Sequence, residues 1–230
     1  MFKAAIVRKP GMSMVDGLTS SDLGKPDYQL ALTQHAAYVE ALQRCGLHVI
    51  VMKADERYPD STFVEDTALL TKHCAIVMNP GAPSRQGETG AIKEILQDHY
   101  VNIEEIDPPG TAEGGDIMMA GSHFYIGLSE RTNEPGAQQV IAHLEKYGLS
   151  GSMVKVEDSL HLKTGVSYLE NDTIAGVSRY LLTEEFQKFK TLEIDGDESY
   201  AANCIWVNGR VLVAEGYPRT ARIIAEAGYD

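Results

Sequence analysis

Three carboxylates, Asp60, Glu65 and Asp66, interrupt the stretch Tyr58-Pro-Asp-Ser-Thr-Phe-Val-Glu-Asp-Thr-Ala-Leu-Leu70, where a Pro59-Asp60 turn runs into a short apolar segment. Carboxylates are costly to bury unless a cation meets them, so the stretch predicts a cationic partner. A planar, delocalised cation such as guanidinium suits clustered acids, because each can accept paired charge-assisted hydrogen bonds.

Two further groups stand in register with these acids. Glu65, Glu113 and His161 are separated by equal steps of 48 residues. An imidazole has the titration range for general acid/base work, and Glu113 is suited to orient it and favour its protonated form. Arg85 and Arg131 lie at turns and are candidates to hold a carboxylate. The set describes a site for an amino acid with a guanidinium side chain, but lacks a nucleophile for the guanidinium carbon, for which thiolate is the natural choice. Cys204, within Ala-Asn-Cys-Ile-Trp, reads as a small buried thiol, as do Cys45 and Cys74. His73 and Cys74 are adjacent on a strand and face opposite ways, which argues against a metal site there.

The elements that must carry these residues repeat. A strand over residues 4–8, a Gly-rich loop containing Gly17-Leu18-Thr19, a helix over 27–45 with Leu32, Ala36, Val39 and Leu42 on its apolar face, and a strand over 47–52 come first. A module of two strands, a turn, a helix and a strand follows: 63–70, 74–78, a helix with Ile92, Ile95 and Leu96, then 102–106. It returns as 114–119, 124–126, a helix with Val140, Ile141 and Leu144, and 153–156. The third copy uses 162–169, 173–175, a helix near 184–189 and 191–194; the fourth uses 202–207, 211–214 and a helix from Ala221. Glu113 to Arg131, His161 to Arg179 and Ala201 to Arg219 all span 18 residues, and Glu65 to Arg85 spans 20. A fixed period of this size predicts stacked or ring-arranged α/β units, with the equivalent openings at one end of the axis. The first unit lacks an opening strand and the last a closing one, so a segment beyond Asp230 is expected to complete the ring.

Composition narrows the partners. The 230 residues are 43% hydrophobic and 23% charged, compatible with one domain over 1–230. A formal charge of -13, from 33 acids and 20 bases, disfavours nucleic acid and anionic membrane surfaces. The start has no long apolar signal core, and no stretch approaches the roughly 18 apolar residues of a membrane span. Three scattered cysteines read as reduced thiols in a cytoplasmic protein. No GxGxxG follows a strand, so no nucleotide site is predicted.

Pro59-Asp60 with Phe63-Val-Glu-Asp66, Pro80-Gly-Ala-Pro-Ser-Arg85, Glu113-Gly-Gly-Asp116, Ser129-Glu-Arg-Thr-Asn133, His161-Leu-Lys163 and Ala201-Ala-Asn-Cys-Ile205 resemble the dimethylarginine dimethylaminohydrolase family. The resemblance runs from Met1 to Asp230 in one register. It implies a five-fold pseudo-symmetric α/β-propeller of ββαβ-type modules, and hydrolysis of Nω-methylated arginine to citrulline and methylamine or dimethylamine through a cysteine thiouronium intermediate. It further implies His161 as proton donor and Glu113 as its partner; Asp60, Glu65 and Asp66 on the guanidinium; Arg85 and Arg131 on the α-carboxylate; and Leu18 in a loop over the substrate. The family's nucleophilic cysteine lies near the C-terminus in a segment expected beyond Asp230, so the chain as given is expected to bind without turnover. No metal or organic cofactor is implied, and a homodimer is compatible. Arginine deiminase, an amidinotransferase-like enzyme and a non-catalytic arginine-derivative binder are the alternatives.

Overall fold

Asp27 accepts the backbone N–H groups of Gln29 at 2.8 Å and Leu30 at 3.0 Å, and so caps helix α1, Tyr28–Arg44. That helix joins β1 (Ala4–Arg8) to β2 (His48–Met52), which pair in parallel from Ala4 opposite His48 to Arg8 opposite Met52. Parallel neighbours need a crossover, and α1 provides it. The computed structural model describes residues 1–19, 22–157 and 159–230. Of the apolar face predicted for α1, Leu42 is buried and Leu32 and Val39 are half-buried, but Ala36 is exposed. The sheet beneath has only two strands, which leaves a narrow stripe to cover.

Three full modules follow. The first holds β3 (Ala68–Leu70), β4 (Ala75–Val77), α2 (Thr89–Gln97) and β5 (Ile103–Glu105). The second holds β6 (Ile117–Ala120), β7 (His123–Leu128), α3 (Glu134–Glu145) and β8 (Ser150–Lys155). The third holds β9 (Val166–Tyr168), β10 (Thr173–Gly176), α4 (Ser178–Leu181) and β11 (Lys190–Glu193). In each, the middle strand pairs antiparallel with the first and parallel with the third. The last unit has β12 (Ile205–Val207) antiparallel to β13 (Arg210–Leu212), then α5 (Pro218–Glu226). Among the described residues these are five separate sheets.

Two expectations need correction. The openings predicted as strand begin as 3-10 turns: Val64–Thr67, Gly114–Asp116, Leu162–Thr164 and Gly196–Ala202. The turns leave backbone N–H groups for the acids of the preceding module: Gly115 N donates to Asp66 Oδ1 at 2.8 Å and Leu162 N to Asp116 Oδ1 at 2.9 Å. The helix expected near 184–189 lies earlier, as the one-turn α4, with only a 3-10 turn at Glu184–Phe186.

Each hydrophobic cluster joins two units. Met52 packs with Ala75, Val77, Ile92 and Leu96; Ile76 with Phe124 and Val140; Tyr125 with Leu162 and Phe186; and Ala175 with Cys204 and Ile224. A further cluster unites first and last, with Val7, Leu42, Cys45 and Leu47 against Val207. The same two units share hydrogen bonds, since Phe2 N donates to Asn208 Oδ1 at 2.7 Å and Asn208 Nδ2 donates to Phe2 O at 3.0 Å and Cys45 O at 3.1 Å.

Candidate active site

Glu113 and His161 occupy equivalent extended positions, each immediately before the 3-10 turn that opens its module. The repeat thus brings residues 48 apart into one hydrogen bond, His161 Nε2 to Glu113 Oε2 at 2.8 Å. Gly115 permits this approach, since a Cβ there would lie 2.7 Å from His161 Cγ; at Gly114 a Cβ would lie 2.2 Å from the Glu65 carbonyl oxygen, so the turn backs closely onto the preceding module. Glu113 is buried; its Oε1 accepts Gly81 N at 3.0 Å, while Arg85 Nη1 lies 3.8 Å from Oε2 and Arg131 Nη1 4.0 Å from Oε1. Burial alone would discharge the imidazole, but the Glu113 hydrogen bond and the charges of Asp66 and Asp116 outweigh it and hold the His161 pKa above its ordinary value.

Asp116 stabilises both members of the pair from behind. Its Oδ2 accepts Ser129 Oγ and Thr132 Oγ1, each at 2.7 Å, and Thr132 Oγ1 in turn accepts Glu113 N at 3.1 Å. Its Oδ1 holds Leu162 N, next to His161. Burial raises the Asp116 pKa despite these partners. Asp116, Ser129 and Thr132 all lie inside motifs legible in the sequence, yet their roles emerge only from this network.

Arg85 differs from expectation. It is buried, with Nε and Nη2 on the two oxygens of Glu88 at 3.1 and 2.9 Å, Nη1 on Asp66 Oδ2 at 2.8 Å, and Nη2 also on Phe63 O at 3.1 Å. Its donors are therefore committed to protein acceptors rather than free for a ligand carboxylate. The physical reason is that Asp66 and Glu88 are themselves buried and would be unpaired without it. Desolvation works against the cation, but the bonds from Glu88 and Asp66 prevail and raise its pKa.

The other expected residues are placed around this core. Asp60 is buried and turned to the loop, where its Oδ1 accepts Leu18 N at 3.0 Å; Leu18 itself is 52% exposed. The Glu65 side chain is 64% exposed and pairs with Lys163. The Arg131 side chain, 20% exposed, is the more accessible of the two arginines. Thus Asp66, Glu113, His161 and both arginines converge, whereas the Asp60 carboxylate serves the loop. Ligand atoms of Asp66, Glu113 and His161 lie within 4.8 Å of one another, close enough to share a metal ion, although Arg85 already places a cation against this group. All three cysteines are buried, and Cys204 packs in a core cluster, as its sequence context predicts. Desolvation raises the Cys74 thiol and pushes Cys204 up to about 11, so both favour the unreactive thiol.

A buried imidazole–carboxylate pair set among fixed acids and arginines, on repeated α/β units, is equipped to hold and exchange a proton beside a charged, polar ligand. The model of the eukaryotic N,N dimethylarginine dimethylhydrolase family matches residues 23–168. The N(G),N(G)-dimethylarginine dimethylaminohydrolase of Pseudomonas aeruginosa is 56% identical over 230 residues, which are 100% of this chain and 91% of that one. A solved cysteine-to-serine variant of the P. aeruginosa enzyme, complexed with citrulline, superposes with a TM-score of 0.98 at 56% identity, covering 100% of this chain and 90% of that one. A solved histidine-to-glycine variant of dimethylarginine dimethylaminohydrolase, an adduct with S-methyl-L-thiocitrulline, gives the same TM-score of 0.98 and identity of 56%, over 100% and 91% of the two chains. The chain belongs to the dimethylarginine dimethylaminohydrolase family, and its α/β fold is theirs.

Proposed function

We propose that this chain hydrolyses Nω-methylated arginine to citrulline and methylamine or dimethylamine. The observation that carries the reading is the 2.8 Å bond between His161 and Glu113 in a buried, acid-rich setting, in a chain whose relative holds citrulline. In the proposed sequence a thiolate adds to the guanidinium carbon, His161 protonates the departing amine as the C–N bond breaks, and water attacks the thiouronium carbon. The C–S bond then breaks, giving citrulline and regenerated thiolate. Glu113 keeps the imidazolium charged and oriented. Asp66 and Glu65 supply the negative field for the guanidinium, Arg131 takes the carboxylate end, Asp60 and Leu18 form the covering loop, and Arg85 fixes Asp66 from behind.

None of the described cysteines is assigned the thiolate, because all three are buried and two have raised pKa values. The cysteine-to-serine variant of the relative that holds citrulline supports a cysteine in this role. We read residues 1–230 as a single domain of five units arranged as an α/β-propeller, supported by the cluster that joins the first unit to the last. A cytoplasmic setting fits the three free cysteines, and no described helix is long and apolar enough to cross a membrane. The family resemblance leaves homodimerisation part of this reading, and the negative charge leaves nucleic acid outside it.

The test is incubation of the full-length gene product with dimethylarginine under reducing conditions. Release of citrulline and dimethylamine in equal amounts is expected, and is lost in His161→Ala. Ammonia from arginine in place of dimethylamine from dimethylarginine would overturn the methylated-substrate reading.

A further inference from the structure

Lys163 lies two residues past His161, in the turn Leu162–Thr164, and its Nζ pairs with Glu65 Oε1 at 2.5 Å. The pair joins residues 98 apart and bridges the first and third modules. The Glu65 backbone is packed against Gly114 of the intervening module, its carbonyl oxygen occupying the space of the missing Cβ. Although it is a lysine, the side chain is only 21% exposed, whereas Glu65 is 64% exposed. The ammonium is thus drawn in against an acid that remains open to the outside. The neighbouring acid, Asp66, already has its own cation in Arg85.

We propose that Lys163 is a specificity-determining residue of this site: it neutralises Glu65 when the site is empty and is displaced by a guanidinium ligand, then returns to Glu65 when the ligand has become a neutral ureido group. The proposal rests on the dimethylarginine reading above. An alkylammonium and a guanidinium are alternative donors to one carboxylate oxygen, so the cationic ligand competes with Lys163. A ureido ligand carries no charge there and leaves the pair in place. Because Glu65 is largely exposed, the competition has the scale of a surface ion pair rather than a buried one.

The test is calorimetric binding of dimethylarginine and citrulline to the unsubstituted chain, Lys163→Met and Lys163→Arg. Methionine retains the aliphatic stem and removes the charge; arginine retains the charge. Lys163→Met is expected to tighten dimethylarginine about two- to fivefold, the range of an exposed pair, with citrulline unchanged and with Lys163→Arg close to the unsubstituted ratio. A merely structural lysine would weaken both ligands together in Lys163→Met, and that result, or an unchanged ratio, overturns the proposal. Lys163→Gln gives a second charge-free variant should methionine prevent folding. If the unsubstituted chain binds neither ligand, it is the dimethylarginine reading that fails; if it binds both at a ratio insensitive to the lysine charge, only the present inference fails.

Discussion

The His161 ring lies directly on the backbone of Gly115, so close that a Cβ at 115 would stand 2.7 Å from its Cγ and 2.8 Å from its Nδ1. Such a contact obliges something to shift, and Gly115 N is already fixed by its bond to Asp66. The imidazole must therefore move. Gly115→Ala is expected to lower kcat on the order of 100-fold, the cost of misplacing a reacting group by about 1 Å. Steady-state kinetics on the folded variant of the full-length gene product measures it, and an unaltered kcat would show that the ring tolerates displacement.

Arg85 and Arg57 make opposite predictions although both pair with acids. Arg85 is buried against Asp66 and Glu88, themselves buried, whereas the Arg57 side chain is mostly exposed beside Asp55. Removing one partner of a buried pair leaves uncompensated charge, which costs about 3–5 kcal/mol. Urea unfolding should show a loss of this size for Arg85→Met and a much smaller one for Arg57→Met, whose bidentate pair with Asp55 keeps its cation in solvent. Equal effects would contradict the assignment of Arg85 as an internal counter-ion.

Glu113 and His161 were legible in the sequence because the repeat places equivalent positions at one end of their units, whatever the local conformation. The role of Arg85 was not. Its spacing marks a turn, but a turn arginine can face a ligand or an acid, and which one depends on Glu88 and Asp66 being buried on the same side. Phe63-Val-Glu-Asp-Thr-Ala-Leu-Leu70 carries a strand-like apolar pattern, yet half of it is a 3-10 turn. Long-range demands decide that segment, since Asp66 must reach Gly115 N and Arg85 at once. Lys163 escaped for the same reason, its partner lying in another module.

The raised pKa of His161 makes stability and activity fall on the same side of the pH scale. Burial opposes its charge, but Glu113, Asp66 and Asp116 more than offset this, so the folded protein holds the proton more tightly than the unfolded chain. The resulting stabilisation is fully present below the ordinary value of 6.5 and is lost as pH rises through the folded-state value. Tm measured across that window should decline in the parent and decline less in His161→Gln. The kcat profile of the full-length gene product should fall over the same alkaline limb as His161, the proposed proton donor, loses its proton. A parent and variant with parallel Tm curves would show that His161 gains no proton affinity on folding.

Asp60 ties the Gly17–Leu18 loop to the body of the protein through one charged acceptor. Leu18 N donates to Oδ1 at 3.0 Å, and the loop approaches so closely that a Cβ at Gly17 would lie 2.7 Å from the same oxygen. Leu18 is exposed, so little apolar burial helps retain the loop. A hydrogen bond to a charged group contributes about 1.5–3 kcal/mol. Asp60→Ala should therefore accelerate hydrogen exchange at the Leu18 amide on the order of 10- to 100-fold, while amides of β7, which lie in the core, keep their protection. Should Leu18 exchange equally fast in both proteins, the loop is held by contacts other than this carboxylate, and Asp60 is left free to meet the ligand directly.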